Sequence, residues 1–390
     1  MSYVAFIGGF VFNSHTEKFN KANIICRDGY IEEISEDVAK ALPFGCEQVD
    51  LGGKYIIPGL VDVHTHGIAG YDFCWADTPD KVAHMCKAYA KNGSTSIMAT
   101  LASDTMTRLY NSIYAINQTR LGSGQDMANI MGIHMEGRYL NPKMRGAHAT
   151  ELLALPDVEE LCGLARIMLP APMHFSLAPE LEGGKEFIKK AKELGATVGI
   201  AHTNSTYEEA EEAISYGADS FTHTFNAMTP VHHRNPGAAV CSLNSRKAYT
   251  EIICDGIHLH PAIVQLAYNA KAKDKLVLVT DSMSATATED GAYEIAGTKV
   301  YVKDGRAVNA EGVLAGSTLT LFKAVTNLMK FCGITLNEAL KCATTNPAKM
   351  VGADFVGSLE KNYRADFIVL ESIECPEISQ VYVGGNKIEN

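Results

Sequence analysis

Short apolar runs recur along the middle of the chain, near residues 59–64, 95–101, 130–136, 173–178, 196–202, 218–223, 249–254 and 275–281. Runs this short, bounded by turn-forming and polar residues, read as buried strands. Amphipathic segments lie between several of them. Thr78 to Asn92 reads as a helix, with Thr78 as cap, Pro79 in the first turn and Gly93 beyond the end. Lys185 to Leu194 before Gly195, Tyr207 to Tyr216 before Gly217, and Pro261 to Ala272 follow the same pattern. The stretches after residues 101, 136 and 223 are less clearly helical. Eight strand signals separated by crossovers predict an α/β protein with a (β/α)8 TIM-like barrel, in preference to a doubly wound sheet.

The two ends read differently. Val4 to Phe12 is apolar, and Ala22 to Ser35 has the form of a hairpin around Arg27-Asp28-Gly29. Ala365 to Leu370 and Val381 to Gly385 supply similar strand signals near the other end. The expectation is a small β-sandwich domain from residues 1–57 plus 353–390, with the barrel spanning 58–352. The length of 390 residues, 46% hydrophobic and 20% charged, fits one large domain plus a small one. A net charge of −11 argues against a general nucleic-acid binder, while leaving room for a local cationic pocket. The start, Met1-Ser2-Tyr3-Val4-Ala5-Phe6, lacks the basic and apolar regions of a signal peptide, and no apolar run approaches the roughly 18 residues of a membrane span. A cytoplasmic protein is expected. The ten cysteines are scattered without a CxxC pair, as suits buried thiols in a reducing compartment.

The chemistry sits where the apolar runs end. His64 and His66 share one face of a strand, because i and i+2 side chains point the same way. Glu136, His202, His223 and Asp281 each end a later run. Any one alone reads as an ordinary capping or core-edge polar residue. Six such groups on five strand ends of one barrel predict a metal centre, since barrel chemistry gathers at the carboxyl ends of strands. Imidazole and carboxylate donors suit Zn, Fe, Mn or Co without choosing among them. Such an ion lowers the pKa of water from about 16 to about 7, and Asp281 is the candidate to move the proton. His134, two residues before Glu136, reads as a hydrogen-bonded barrel residue beneath the site. His15, His84 and His174 read as surface or packing residues, His232 and His233 as solvated, and His260 marks a helix start.

These segments resemble the amidohydrolase superfamily and, within it, the N-acetylglucosamine-6-phosphate deacetylase family. The resemblance rests on Pro58-Gly59-Leu60-Val61-Asp62-Val63-His64-Thr65-His66-Gly67, His134-Met135-Glu136-Gly137 and Ala201-His202-Thr203-Asn204. It continues through Thr222-His223-Thr224-Phe225-Asn226-Ala227-Met228, Val279-Thr280-Asp281-Ser282-Met283, Leu314 to Thr320 and Thr344-Thr345-Asn346-Pro347-Ala348. It implies hydrolysis of N-acetylglucosamine 6-phosphate to glucosamine 6-phosphate and acetate, hydroxide attacking the amide with Asp281 as general base and then acid. It assigns one metal to Glu136, His202 and His223. The retained His64 and His66 allow a second, bridged by Glu136, so one or two divalent ions per subunit are expected. Sugar and phosphate contacts would fall to Ala147, His148, Asn226, Ala227, Arg234, His258 and the Leu314-Ala315-Gly316 turn. His258 would also polarise the amide carbonyl. The family's arginine reaches a neighbouring subunit's phosphate, which implies a homodimer with Arg234 in that role. Two departures stand out. Arg138-Tyr139 follows the HxEG segment where the family usually has proline, and Thr203-Asn204-Ser205 changes the residue after Asn.

Other readings predict different features. Many cyclic amidases bridge their metals with a carboxylated lysine at a strand end, and deaminases need an additional His-x-x-Glu-type proton donor; neither pattern is found. A catalytically inactive scaffold typically loses ligands, whereas this chain keeps all six.

Overall fold

The computed structural model describes residues 3–122, 126–168, 170–271, 273–295 and 298–389. Its centre is a parallel eight-stranded sheet. In chain order the strands are Leu60–Thr65, Ser94–Ala102, Asn129–Glu136, Met173–Leu177, Thr197–Ile200, Ser220–Phe221, Tyr249–Ile253 and Leu276–Val279. Each pairs with its sequence neighbour, and the first and last meet where Asp281 N–H donates to the His64 carbonyl at 2.9 Å. All eight predicted strands are present, in barrel order. Their near-total burial follows from packing on both faces, which explains continuous apolar runs where a half-exposed strand would alternate.

The helix over residues 207–216 matches its predicted span and carries a capping box between Thr206 and Glu209. The helix Pro79–Lys91 also forms, but Thr78 makes no side-chain capping bond, so its start rests on Pro79 and the favourable charge of Asp80. The last of the predicted helices runs Pro261–Ala270; Ala272 lies outside the described residues. His260, given no role from sequence, caps it by accepting the Ala262 N–H. The three unclear intervals contain helices at Met106–Gly122, Val158–Ile167 and Ala238–Asn244. The first buries Ser112, Asn117 and Thr119 beside Leu109 and Ile113, so its inward face is not an apolar stripe. The last has only seven residues, too few to display a period.

The chain ends join in a second eight-stranded sheet that places Phe367–Leu370 against Tyr55–Pro58, and Tyr55–Pro58 beside Tyr3–Asn13. The hairpin of Lys18–Arg27 and Tyr30–Ser35 forms as predicted. The sheet closes over its own core of Phe6, Ile24, Ile56, Phe367 and Tyr382. Sequence reasoning did not anticipate an antiparallel three-stranded sheet, Gly291–Ile295, Thr298–Lys303 and Arg306–Asn309, inserted after the last barrel strand. Its exposed, alternating strands lack the apolar runs of the barrel. Among the described residues, no helix is long and apolar enough to cross a membrane.

Candidate metal centre and active site

All six predicted ligands converge at one mouth of the barrel. His64 lies in the first strand, His66 just past it, and Glu136 ends the third. His202, His223 and Asp281 each stand two residues beyond their strands, with φ of 42°, 30° and 50°. Left-handed backbone is unusual for such residues and persists where surrounding structure enforces it, typically at functional sites. Here it turns the ends of the fifth, sixth and eighth barrel strands inward over the same point.

Glu136 lies between two pairs of histidines. Its Oε2 is 2.9 Å from His66 Nε2 and 3.3 Å from His64 Nε2, while its Oε1 is 2.8 Å from His223 Nε2 and 3.3 Å from His202 Nε2. Asp281 Oδ1 stands 3.2 Å from His66 Nε2 and 3.6 Å from His64 Nε2. Burial alone would raise the Asp281 pKa, but His64 and His66 outweigh it and bring it down to about 2. Burial opposes charge on His66, yet Asp281 and Glu136 raise its pKa to about 9. The two carboxylates thus draw positive charge into the cluster.

The donor set fits a divalent metal. Two ligand bonds of about 2.0–2.1 Å at a tetrahedral angle place their donor atoms about 3.3 Å apart, near the separations seen. His64 Nε2 is buried without a hydrogen bond, and His202 Nδ1 lies 2.8 Å from the Met144 carbonyl, which turns Nε2 inward. Nitrogen and oxygen donors of this kind accept several first-row metals.

A cavity of about 460 Å³ opens over the cluster. Of the predicted substrate contacts, Ala147, His148, Asn226, Ala227, His258, Leu314, Ala315 and Gly316 line it. Arg234 does not; it lies exposed with Nη1 2.8 Å from His233 Nε2. Lys143, in the 3-10 helix Pro142–Met144, also lines the cavity, and its polar surroundings gave no signal in the sequence. Ile295 and Val313 reach the wall from the unanticipated three-stranded sheet and the segment after it.

His148 accepts the Ser103 N–H at Nδ1 over 3.4 Å, and the Ser103 hydroxyl lies 2.9 Å from the same nitrogen. Its proton therefore resides on Nε2. Burial, assisted by His202, pushes its pKa down to about 3, so the ring is a neutral donor. That tautomer suits a substrate contact, even though His148 stands close enough to Glu136 and His202 to be counted with them as a ligand. His258 is oriented by Asp255, whose Oδ2 lies 2.7 Å from its Nδ1.

The Arg138 departure has a structural account. Arg138 has φ 67°, donates its N–H to Ser103 Oγ at 2.8 Å, and pairs through its guanidinium with Glu160 at 2.8 Å. Proline could neither adopt that φ nor donate. His134 is a barrel residue, between Ser176 Oγ at 2.8 Å and Thr100 Oγ1 at 3.2 Å. His174 is buried in the same interior. Sequence reasoning missed Ser103 and Glu251. Ser103 directly follows the second strand, where the rule of strand carboxyl ends could have found it; Glu251 lies inside an apolar run and gave no comparable signal.

A barrel with four histidines and two carboxylates at the carboxyl ends of its strands defines a class of metal-dependent hydrolases, and the chain belongs to the amidohydrolase family, whose model matches residues 55–388. Its relatives narrow the class. It is 32% identical over 376 residues to an N-acetylgalactosamine-6-phosphate deacetylase of Escherichia coli O157:H7, covering 95% of this chain and 98% of that one. It is 31% identical over 371 residues to an N-acetylglucosamine-6-phosphate deacetylase of Bacillus subtilis, covering 92% and 90%. Among solved structures, the N-acetylglucosamine-6-phosphate deacetylase of Pasteurella multocida superposes with a TM-score of 0.91 at 26% identity, covering all of both chains. A mutant of the Mycobacterium smegmatis enzyme in complex with N-acetyl-D-glucosamine-6-phosphate gives 0.90 at 28% identity, again over both full chains.

Proposed function

We propose that this protein hydrolyses N-acetylglucosamine 6-phosphate to glucosamine 6-phosphate and acetate, and that Glu136 with the histidines and Asp281 around it would hold two divalent ions. The observation that carries this reading is the position of Glu136, each of whose oxygens faces a separate pair of histidine Nε2 atoms. His64, His66 and Asp281 would hold one ion and His202 and His223 the other. A divalent ion held by these residues would supply Lewis-acid polarisation of the amide carbonyl and a lowered pKa for water. Asp281 takes the water's proton and returns it to the amide nitrogen as the C–N bond breaks. His148 donates from Nε2 to the sugar. His258, held at Nδ1 by Asp255, presents Nε2 toward the carbonyl, where negative charge develops. The backbone N–H of Ala227, at φ 49°, suits the phosphate, whereas that of Asn226 is already donated to the His223 carbonyl at 3.0 Å.

Two cations could complete phosphate recognition. Lys143 is supplied by the same chain, whereas Arg234 would serve a second copy in a homodimer. The test is acetate release from N-acetylglucosamine, its 6-phosphate and N-acetylgalactosamine 6-phosphate. The gluco 6-phosphate should have the highest kcat/KM; a preference for the galacto epimer would reassign the substrate, and no release from any would end the deacetylase reading. Arg234→Ala should raise KM for phosphorylated substrate alone. An equal effect with unphosphorylated sugar would remove Arg234 from phosphate binding.

A further inference from the structure

Glu251 lies in the seventh barrel strand, wholly buried beneath the metal centre. Its Oε2 faces His64 Nδ1 at 3.3 Å and accepts the His223 N–H at 3.2 Å. A carboxylate can only accept, so the His64 proton belongs on Nδ1 and the lone pair on Nε2. That Nε2 makes no hydrogen bond and points at Glu136 Oε2, 3.3 Å away, and Asp281 Oδ1, 3.6 Å away. His202 is oriented differently, by the Met144 main-chain carbonyl. His66 Nδ1 and His223 Nδ1 have no partner among the described residues. Among these four histidines, only His64 is thus held in its tautomer by a side chain.

We infer that Glu251 is a positioning residue for the second ion: it fixes His64 with Nε2 free to ligate, and through the same oxygen anchors the His223 backbone beside it. This rests on the two-ion reading above. A ligand histidine whose other nitrogen is fixed by a carboxylate is both oriented and made more basic, and removing the carboxylate typically weakens metal binding about 10–100-fold. Glu251 would therefore set whether the His64–His66 arm fills, with a smaller effect on the Glu136–His202–His223 arm, which it meets only through the His223 main chain.

The test is a Co²⁺ titration of the metal-stripped full chain, counting equivalents by calorimetry and by metal analysis, with circular dichroism as a check on folding. Wild type should bind two equivalents. Glu251→Leu should keep one and weaken the other about 10–100-fold. Glu251→Gln retains an acceptor oxygen and should recover the second equivalent, a rescue that a requirement for buried charge would not produce. Loss of both equivalents together with the folded spectrum in Glu251→Leu would transfer the decision to Glu251→Asp, which withdraws the acceptor while keeping the charge and should weaken the second equivalent alone. Wild-type-like binding of both ions by the folded Leu or Asp variant would overturn the inference, as would a wild type that takes up only one. No binding of Co²⁺ by wild type would instead overturn the metal-dependent reading itself.

Discussion

Gly137→Ala is a demanding test of how this site is held. Gly137 follows Glu136 and has φ 154°, a backbone conformation rarely adopted with a side chain. An added Cβ would lie 2.4 Å from Ser103 N, 2.5 Å from its Oγ and 2.8 Å from its Cα. Two of those atoms are backbone, so no rotamer change relieves the overlap. Restoring ordinary contact separates the two chain segments by about 1 Å, and a 1 Å error in a catalytic group can cost on the order of 100-fold in rate. The displaced segments lie directly past the Glu136–Ala102 pairing of the third and second strands, so the movement reaches the Glu136 carboxylate and, through Ser103, His148. The expected outcome is a kcat lowered about 100-fold, equivalent to about 2.7 kcal/mol on the barrier. Overpacking should add about 1–3 kcal/mol of destabilisation. Saturating acetate-release assays and thermal melts read the two effects separately. Adding Ser103→Gly removes only the Oγ contact and should not restore activity. A Gly137→Ala enzyme with wild-type kcat and melting temperature would refute the reasoning.

Asp281→Asn should lower kcat about 10²–10⁴-fold, the usual contribution of a positioned general acid–base. It should leave the local backbone intact, because the Asp281 N–H to His64 and Ser317 N–H to Asp281 bonds remain; near-normal turnover by the metal-loaded variant would remove Asp281 as proton carrier. Stability should fall with acid for an identifiable reason. Burial first, and His202 second, depress the His148 pKa from 6.5 to about 3, so between those values the unfolded chain binds the extra proton. Stability therefore rises with pH across that window and is lost as pH drops through it. Urea midpoints between pH 6.5 and 4 should decline less steeply in His148→Asn, and an unchanged slope would contradict the assignment.

The sequence alone determined the parts whose information is local. Strands buried on both faces must be apolar throughout, so each barrel strand was visible as a run, and each ligand showed as a polar residue where a run stopped. The i, i+2 spacing of His64 and His66 fixed their shared face before any packing was known. Tertiary structure decided which groups meet. That Glu136 stands between two pairs of histidines rather than capping its strand depends on distant parts of the chain converging around one oxygen pair. Arg138 could be explained only once its positive φ and its partner Glu160 were seen. Glu251 was hidden for the complementary reason: a charge in the middle of an apolar strand has no local signature of purpose, and its partners His64 and His223 are brought to it only by closing the barrel. The same holds for Lys143 and Ile295, whose short 3-10 helix and strand reveal nothing locally of the cavity they border.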